Sequence, residues 1–133
     1  MSFLLDTNIC SAHLKRPSGL IYRFVQHGGS LHISTIVLGE LYTWAYRRDD
    51  PRILLSLSEN DLLPELTVLD FDKACAARFG ELQSELLRKG NAVNPVDLMI
   101  AAVTLAHDLT LVTHNTKHFA AIPGLRLVDW LTA

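Results

Sequence analysis

Short apolar runs alternate with longer amphipathic ones along the whole chain. Residues 2–5, 31–33, 67–69, 110–112 and 126–128 are rich in Leu, Val and Ile and bounded by polar or turn residues, which predicts strands. Helical periodicity covers roughly 8–15, 19–27, 35–48, 51–63, 72–88 and 96–107. Strands alternating with helices predict an α/β fold. We expect three layers, α/β/α, around a mostly parallel central sheet of four or five strands. Pro17-Ser18-Gly19 and Gly28-Gly29 punctuate the first helices, and Asp50 with Pro51 reads as an N-cap followed by a first helical position. Lys89-Gly90 closes the helix over 72–88, with glycine in the left-handed cap position, and Pro123-Gly124 turns the chain into the last strand. No repeat or linker interrupts the pattern, which predicts one domain over residues 1–133.

Three acids break this pattern. Asp6 ends the apolar run Phe3-Leu4-Leu5, Glu40 interrupts residues 36–41, and Asp97 opens the run 98–103. Gathered in a low-dielectric place, like charges repel and raise one another's pKa. A divalent cation removes that cost, so acids spread along a chain but aimed at one point suggest a Mg²⁺ or Mn²⁺ site and phosphate chemistry. In an open α/β sheet, sites form beyond the carboxyl ends of strands. Asp6 falls at one such end and Thr113 at another. Glu40 lies about two turns into the helix after strand 31–33, with Ile36, Val37, Leu41 and Trp44 around it, so it is expected to share the apolar stripe. Each acid also has a plainer reading. Asp6 can cap helix 8–15, Glu40 can sit at the edge of its stripe, and Asp97 can be a first-turn acid behind an Asn94 cap and Pro95. What favours a shared site is that all three aim at one sheet edge, where Thr7, Asn8, Ser34, Thr113 and Asn115 can add polar lining.

Composition narrows the class. At 133 residues, 49% hydrophobic and 20% charged, the chain suits one ordinary soluble domain. No apolar run approaches ~20 residues, and the start lacks the basic residues of a signal peptide, so the expected compartment is the cytoplasm. Cys10 and Cys75 fall in helical stretches without a CxxC or Cys/His spacing, which reads as two free thiols. The net charge of −2 argues against a non-specific nucleic-acid binder but not against an enzyme that meets phosphate through a metal. Lys15-Arg16, Arg47-Arg48 with Arg52, and Arg88-Lys89 fall near helix ends, where they complement the helix dipole or guide RNA.

The ordered set of segments resembles a known family. Leu4-Leu5-Asp6-Thr7-Asn8, then Ile33-Ser34 followed by Glu40, resemble the PIN domain. So do Gly90 and Val93 ahead of Asp97, Ile100-Ala101-Ala102, and Leu111-Val112-Thr113 with Asn115 and Phe119. Within it the similarity is to VapC-type toxins of bacterial toxin–antitoxin pairs, down to the closing Pro123-Gly124-Leu125-Arg126 and Asp129-Trp130. The resemblance implies a Mg²⁺- or Mn²⁺-dependent ribonuclease, often acting on tRNA to inhibit translation. It also implies a homodimer silenced by a small VapB-type antitoxin. Asp6, Glu40 and Asp97 match the family's metal-binding acids, and Thr7, Thr113 and Asn115 its supporting polar residues.

One departure stands out. Many relatives carry a fourth acid after the Thr113 strand, whereas here residues 113–119 hold no carboxylate and the next is Asp129. A single firmly held ion, with a second arriving with RNA, is the expectation. His114 and His118 have the i,i+4 spacing that can suit zinc, without further His or Cys nearby in sequence. Two other readings fit parts of the pattern. A phosphotransferase with an aspartyl nucleophile wants a second Asp where Asn8 stands. A non-catalytic PIN-fold module binding RNA or protein would keep the acids only as caps. Tyr42, Trp44 and Tyr46 would suit a groove for a partner helix.

Overall fold

The computed structural model describes residues 1–132. In chain order the elements are β1 (Phe3–Leu5), α1 (Thr7–Lys15), α2 (Pro17–Gln26), β2 (Leu31–Ser34), α3 (Thr35–Tyr46), α4 (Arg52–Leu57) and β3 (Thr67–Leu69). They continue with α5 (Lys73–Arg88), α6 (Pro95–Ala106), β4 (Thr110–Val112), α7 (Thr116–Phe119) and β5 (Arg126–Val128). The five strands form one sheet in the order β3-β2-β1-β4-β5, and every neighbouring pair is parallel. The expected α/β/α fold is therefore present, with its sheet wholly parallel.

The sheet's centre is buried because its strands are apolar on both faces. Phe3, Leu4 and Leu5 of β1 and Leu111 and Val112 of β4 are all buried, as a strand covered by helices on two sides requires. Registers pair Phe3 with Thr110 and Leu5 with Val112, so β1 and β4 end level. The chain winds outward from β1 through β2 to β3, then crosses back to place β4 on the other side of β1. The crevice beyond the carboxyl ends of β1 and β4 is thus the switch point at which open α/β sheets bind ligands.

Local causes of the elements mostly follow the sequence reading. Asp6, Ser34, Asp72 and Asn94 each cap the helix that follows. Gly90 adopts φ 72°, and the amide of Asn91 donates to the Leu86 carbonyl at 2.9 Å, which closes the end of α5 as expected. Three details differ. The helix expected over 51–63 stops at Leu57 and continues as a π turn over Ser58–Leu62 and a 3₁₀ turn over Leu63–Glu65. Ser58 explains part of this: its hydroxyl donates to the Leu54 carbonyl at 2.8 Å and competes for the helix's own acceptor. Pro51 itself is the cap of α4, while the Asp50 carboxylate accepts from the Arg52 amide at 3.1 Å. Pro17 opens α2, where the sequence suggested a separator. Among the described residues, no helix is long and apolar enough to cross a membrane.

Candidate active site

Asp6 follows β1 directly, and its carboxylate is anchored from three directions. The Thr113 hydroxyl donates to its Oδ2 at 2.7 Å, the Thr7 amide to its Oδ1 at 2.8 Å, and the Asn8 amide to Oδ2 at 3.4 Å. The side chain is 5% exposed. Burial raises its pKa, and the hydrogen bonds from Thr113, Thr7 and Asn8 counter this only in part. Two backbone bonds fix the frame. The Asp6 amide donates to the Val112 carbonyl at 2.9 Å, and the Thr113 amide to the Val128 carbonyl at 3.0 Å. The ends of β1, β4 and β5 are thereby tied together.

Thr113 is the hub of this arrangement. It is fully buried at the end of β4. Its hydroxyl donates to Asp6 and accepts from the Asn115 amide at 3.1 Å and the Asn8 side chain at 3.4 Å. Asn8 reaches across to accept from the His114 amide at 3.0 Å. The helix that begins after Asp6 is thus bonded to the loop that follows β4.

Glu40 approaches from α3. The expectation that it shares the apolar stripe is not met. Val37, Leu41 and Ala45 form the buried line of α3, whereas Glu40 is exposed on the face it shares with Thr43 and Arg47. The reason is periodicity: Val37, Leu41 and Ala45 are four apart, and a residue one step off that line is rotated by roughly 100°. Glu40 is held at the rim by the Thr7 hydroxyl, which donates to its Oε1. Partial burial raises its pKa, and Asp6 and Asp97 raise it further through space.

Asp97 lies in the first turn of α6, behind the Asn94 cap. The Asn94 oxygen accepts from the amides of Val96 at 2.8 Å and Asp97 at 3.4 Å. The Asp97 side chain points instead towards His118, with Nδ1 at 3.7 Å, and is 23% exposed. Its pKa is raised by burial first and by Asp6 second, while His118 lowers it. Asp6 thus acts through space on both Glu40 and Asp97, and Asp97 on Glu40. They are nevertheless spread wide. Among the described residues, the set of three Asp, Glu, His or Cys donors with all atoms within 4.8 Å of one another lies elsewhere, at Asp72, Cys75 and His107.

Other expected lining residues divide. Thr7 and Asn8 sit in the site. Ser34 is fully buried and serves α3, its hydroxyl accepting from the Val37 amide at 3.1 Å. Asn115 enters through its backbone amide rather than its side chain. The histidines spaced as a zinc pair diverge: His118 faces Asp97, and His114 Nδ1 meets Asp129 at 3.0 Å. Asp129 does reach the same end of the sheet, just past β5, but it is engaged. Burial acts to raise its pKa, and hydrogen bonds from Thr132, the Leu131 amide and His114 outweigh this and leave it lowered. His118 was the site residue that sequence spacing did not single out for its true neighbour.

A basic and aromatic surface adjoins the acids. A hollow of about 430 Å³ is lined by Thr7, Glu40, Thr43, Trp44, Arg47 and Arg48. Trp44 stands one turn beyond Glu40, with Lys15 Nζ 5.3 Å and the Arg48 guanidinium 5.4 Å from its ring centroid. On the other side, Asn8 opens into a second hollow of about 520 Å³ that Lys15, Arg16 and Trp130 help to line.

Comparison with known proteins follows the same lines. The PIN domain family model matches residues 3–125. The tRNA(fMet)-specific endonuclease VapC of Shigella flexneri is 37% identical over 131 residues, which cover 98% of both chains. Among solved structures, the chain is similar to one in a DNA-bound VapBC complex of Salmonella typhimurium, with TM-score 0.91, 37% identity and 98% of each chain covered. It is also similar to one in VapBC2 of Rickettsia felis bound to a promoter DNA fragment, with TM-score 0.90, 34% identity, and 98% of this chain and 99% of that one covered.

Proposed function

The chain belongs to the PIN-domain family, and from that premise we propose that it is a VapC-type endoribonuclease toxin using Mg²⁺ or Mn²⁺. Its substrate is tRNA or another structured RNA, whose cleavage inhibits translation. Its inhibitor is a small VapB-type antitoxin, and its own assembly is a homodimer. What supports this reading is that Asp6 raises the pKa of both Glu40 and Asp97, and Asp97 that of Glu40, close to the end of β1.

Three carboxylates offer only oxygen donors, which suits a hard divalent cation. Asp6, Glu40 and Asp97 would hold it. When bound, such an ion supplies Lewis-acid polarisation of a phosphodiester and a nucleophile available at neutral pH. The chain's own residues supply position. Thr113, Asn8 and the Thr7 amide favour the carboxylate form of Asp6 and so offset part of its burial, and the Thr7 hydroxyl steers Glu40. Lys15, Arg16, Arg47 and Arg48 line the hollows that Glu40 and Asn8 open into and track the RNA backbone. Trp44 offers a face on which an unpaired base can stack. Exposed Tyr46 on α3, Ile53 on α4 and Ile21, Tyr22 and Val25 on α2 offer apolar surface to the antitoxin and to a second copy. The whole chain acts as one domain in the cytoplasm.

End-labelled bulk tRNA incubated with antitoxin-free protein in Mg²⁺ or Mn²⁺ tests this. Discrete cuts are expected that disappear with EDTA and in Asp6→Asn. RNA bound but uncut under every metal condition would point to the non-catalytic binding module instead.

A further inference from the structure

Cys75 is buried at the start of α5, and the sequence gives it no partner. The fold supplies the Asp70 carbonyl, which accepts from its thiol at 3.8 Å, and two metal-binding side chains. Asp72 caps α5, accepting from the Cys75 amide at 3.1 Å, so its carboxylate sits over the first turn from which the thiol projects. His107 ends α6, which packs along α5 and returns its C-terminus to the same place. One sulfur, one imidazole nitrogen and one carboxylate oxygen thus lie with all pairs within 4.8 Å. We propose that Asp72, Cys75 and His107 form a second metal site selective for Zn²⁺, separate from the acids beyond β1 and β4.

The donor chemistry sets the metal. Thiolate with imidazole selects zinc, whereas Mg²⁺ and Mn²⁺ prefer the all-oxygen set of the other site. Tetrahedral zinc with Zn–S of ~2.3 Å and Zn–N and Zn–O of ~2.0–2.2 Å separates its donors by about 3.3–3.8 Å, so closing the site takes about 1 Å of movement. His107 is exposed and can provide most of it, and the exposed Asp72 can ligate through the oxygen not engaged in capping α5, while Cys75 stays fixed. Binding forms Zn–S, Zn–N and Zn–O bonds, and the thiol proton leaves to solvent. Solvent completes the fourth position. Burial, and the neighbouring Asp72 after it, push the Cys75 thiol's pKa up, so its proton leaves only as the metal binds, while the C-terminus of α6 attracts a cation. The site staples the start of α5 to the end of α6, whose other end carries Asp97.

Cobalt(II) and zinc titrations of the full chain, in excess Mg²⁺ to satisfy the acids, test the proposal. One equivalent of Co²⁺ is expected to give a thiolate-to-cobalt charge-transfer band in the near ultraviolet, bleached by Zn²⁺. His107→Gln should weaken Zn²⁺ binding by at least ~100-fold, the upper end of what losing even an outer-shell partner costs. Cys75→Ser should abolish the band, and Cys10→Ser should leave it unchanged. Zinc should raise the melting temperature of the unaltered protein but not of His107→Gln. If Cys75→Ser fails to fold, His107→Gln decides alone, because its side chain is exposed. Absence of the band, or a band and zinc affinity that survive His107→Gln, would overturn the proposal.

Discussion

Thr113→Val removes one hydroxyl at constant shape, from a fully buried side chain that serves Asp6, Asn8 and Asn115 at once. A hydrogen bond to a charged group contributes about 1.5–3 kcal/mol net. Water can replace the acceptor lost by Asn115, which is exposed, so the Asp6 bond dominates and the expected loss is about 2 kcal/mol. For a domain of 133 residues this lowers the melting temperature by about 6–8 °C. The sign with pH follows from Asp6. Its folded pKa is already raised above 3.8 by burial, and the Thr113 bond is the main influence holding it down. Removing the bond raises it further, so the deficit of Thr113→Val is full at pH well above both folded values and shrinks as pH falls through them, above the ordinary carboxylate range. Urea unfolding of the metal-free protein across pH measures this. RNA cleavage at sub-saturating Mg²⁺ should fall by about 10–100-fold, as for other partners that orient a metal ligand. Thr113→Ser keeps the hydroxyl and should keep cleavage. A Val variant as stable as the parent at neutral pH would refute the reasoning. So would a Ser variant that loses cleavage as fully as Val.

Glu40→Gln and Asp97→Asn should abolish cleavage and yet unfold at higher urea than the parent at pH 7 without divalent ions. Both carboxyls have folded pKa values raised by burial and by other acids, so each charge weakens the fold as pH climbs past its ordinary range; a lower midpoint would contradict this. His13, stacked 3.8 Å on Phe24 with Nδ1 unpartnered, has its pKa lowered by burial despite the charges of Glu65 and Asp61. Its contribution is present above 6.5 and lost as pH falls below it, so His13→Leu should flatten the fall in stability on mild acidification. Lys15→Ala and Arg48→Ala should weaken RNA binding evenly across sequences and reduce the salt slope by about 1 each, read from binding at several salt concentrations.

How far the chain can be read without coordinates depends on how local each cause is. Strands of three or four residues with near-continuous Leu, Val and Ile announce themselves, and Asn94, Pro95 and Gly90 mark the ends of helices by backbone chemistry alone. The four residues of α7 span barely one turn, too few to show a period. The break after Leu57 depends on a serine competing for a carbonyl within an otherwise helical pattern. Asp6 and Thr113 are legible as strand ends, but their hydrogen bond spans 107 positions and rests on the β1–β4 register. Glu40 was misplaced because its apolar neighbours one turn away, Ile36 and Trp44, are themselves only half-buried. Cys75 and His107 are brought together solely by the pairing of α5 with α6, which no spacing rule contains.

The most direct test of the shared acid site is a Mn²⁺ titration of the RNA-free protein followed by electron paramagnetic resonance, with Asp97→Asn and Glu40→Gln alongside. One tight Mn²⁺ per chain, weakened in both variants, is the expected result. Two tight ions, or tight binding unchanged in the variants, would mean that Asp6, Glu40 and Asp97 do not form the single centre proposed for them.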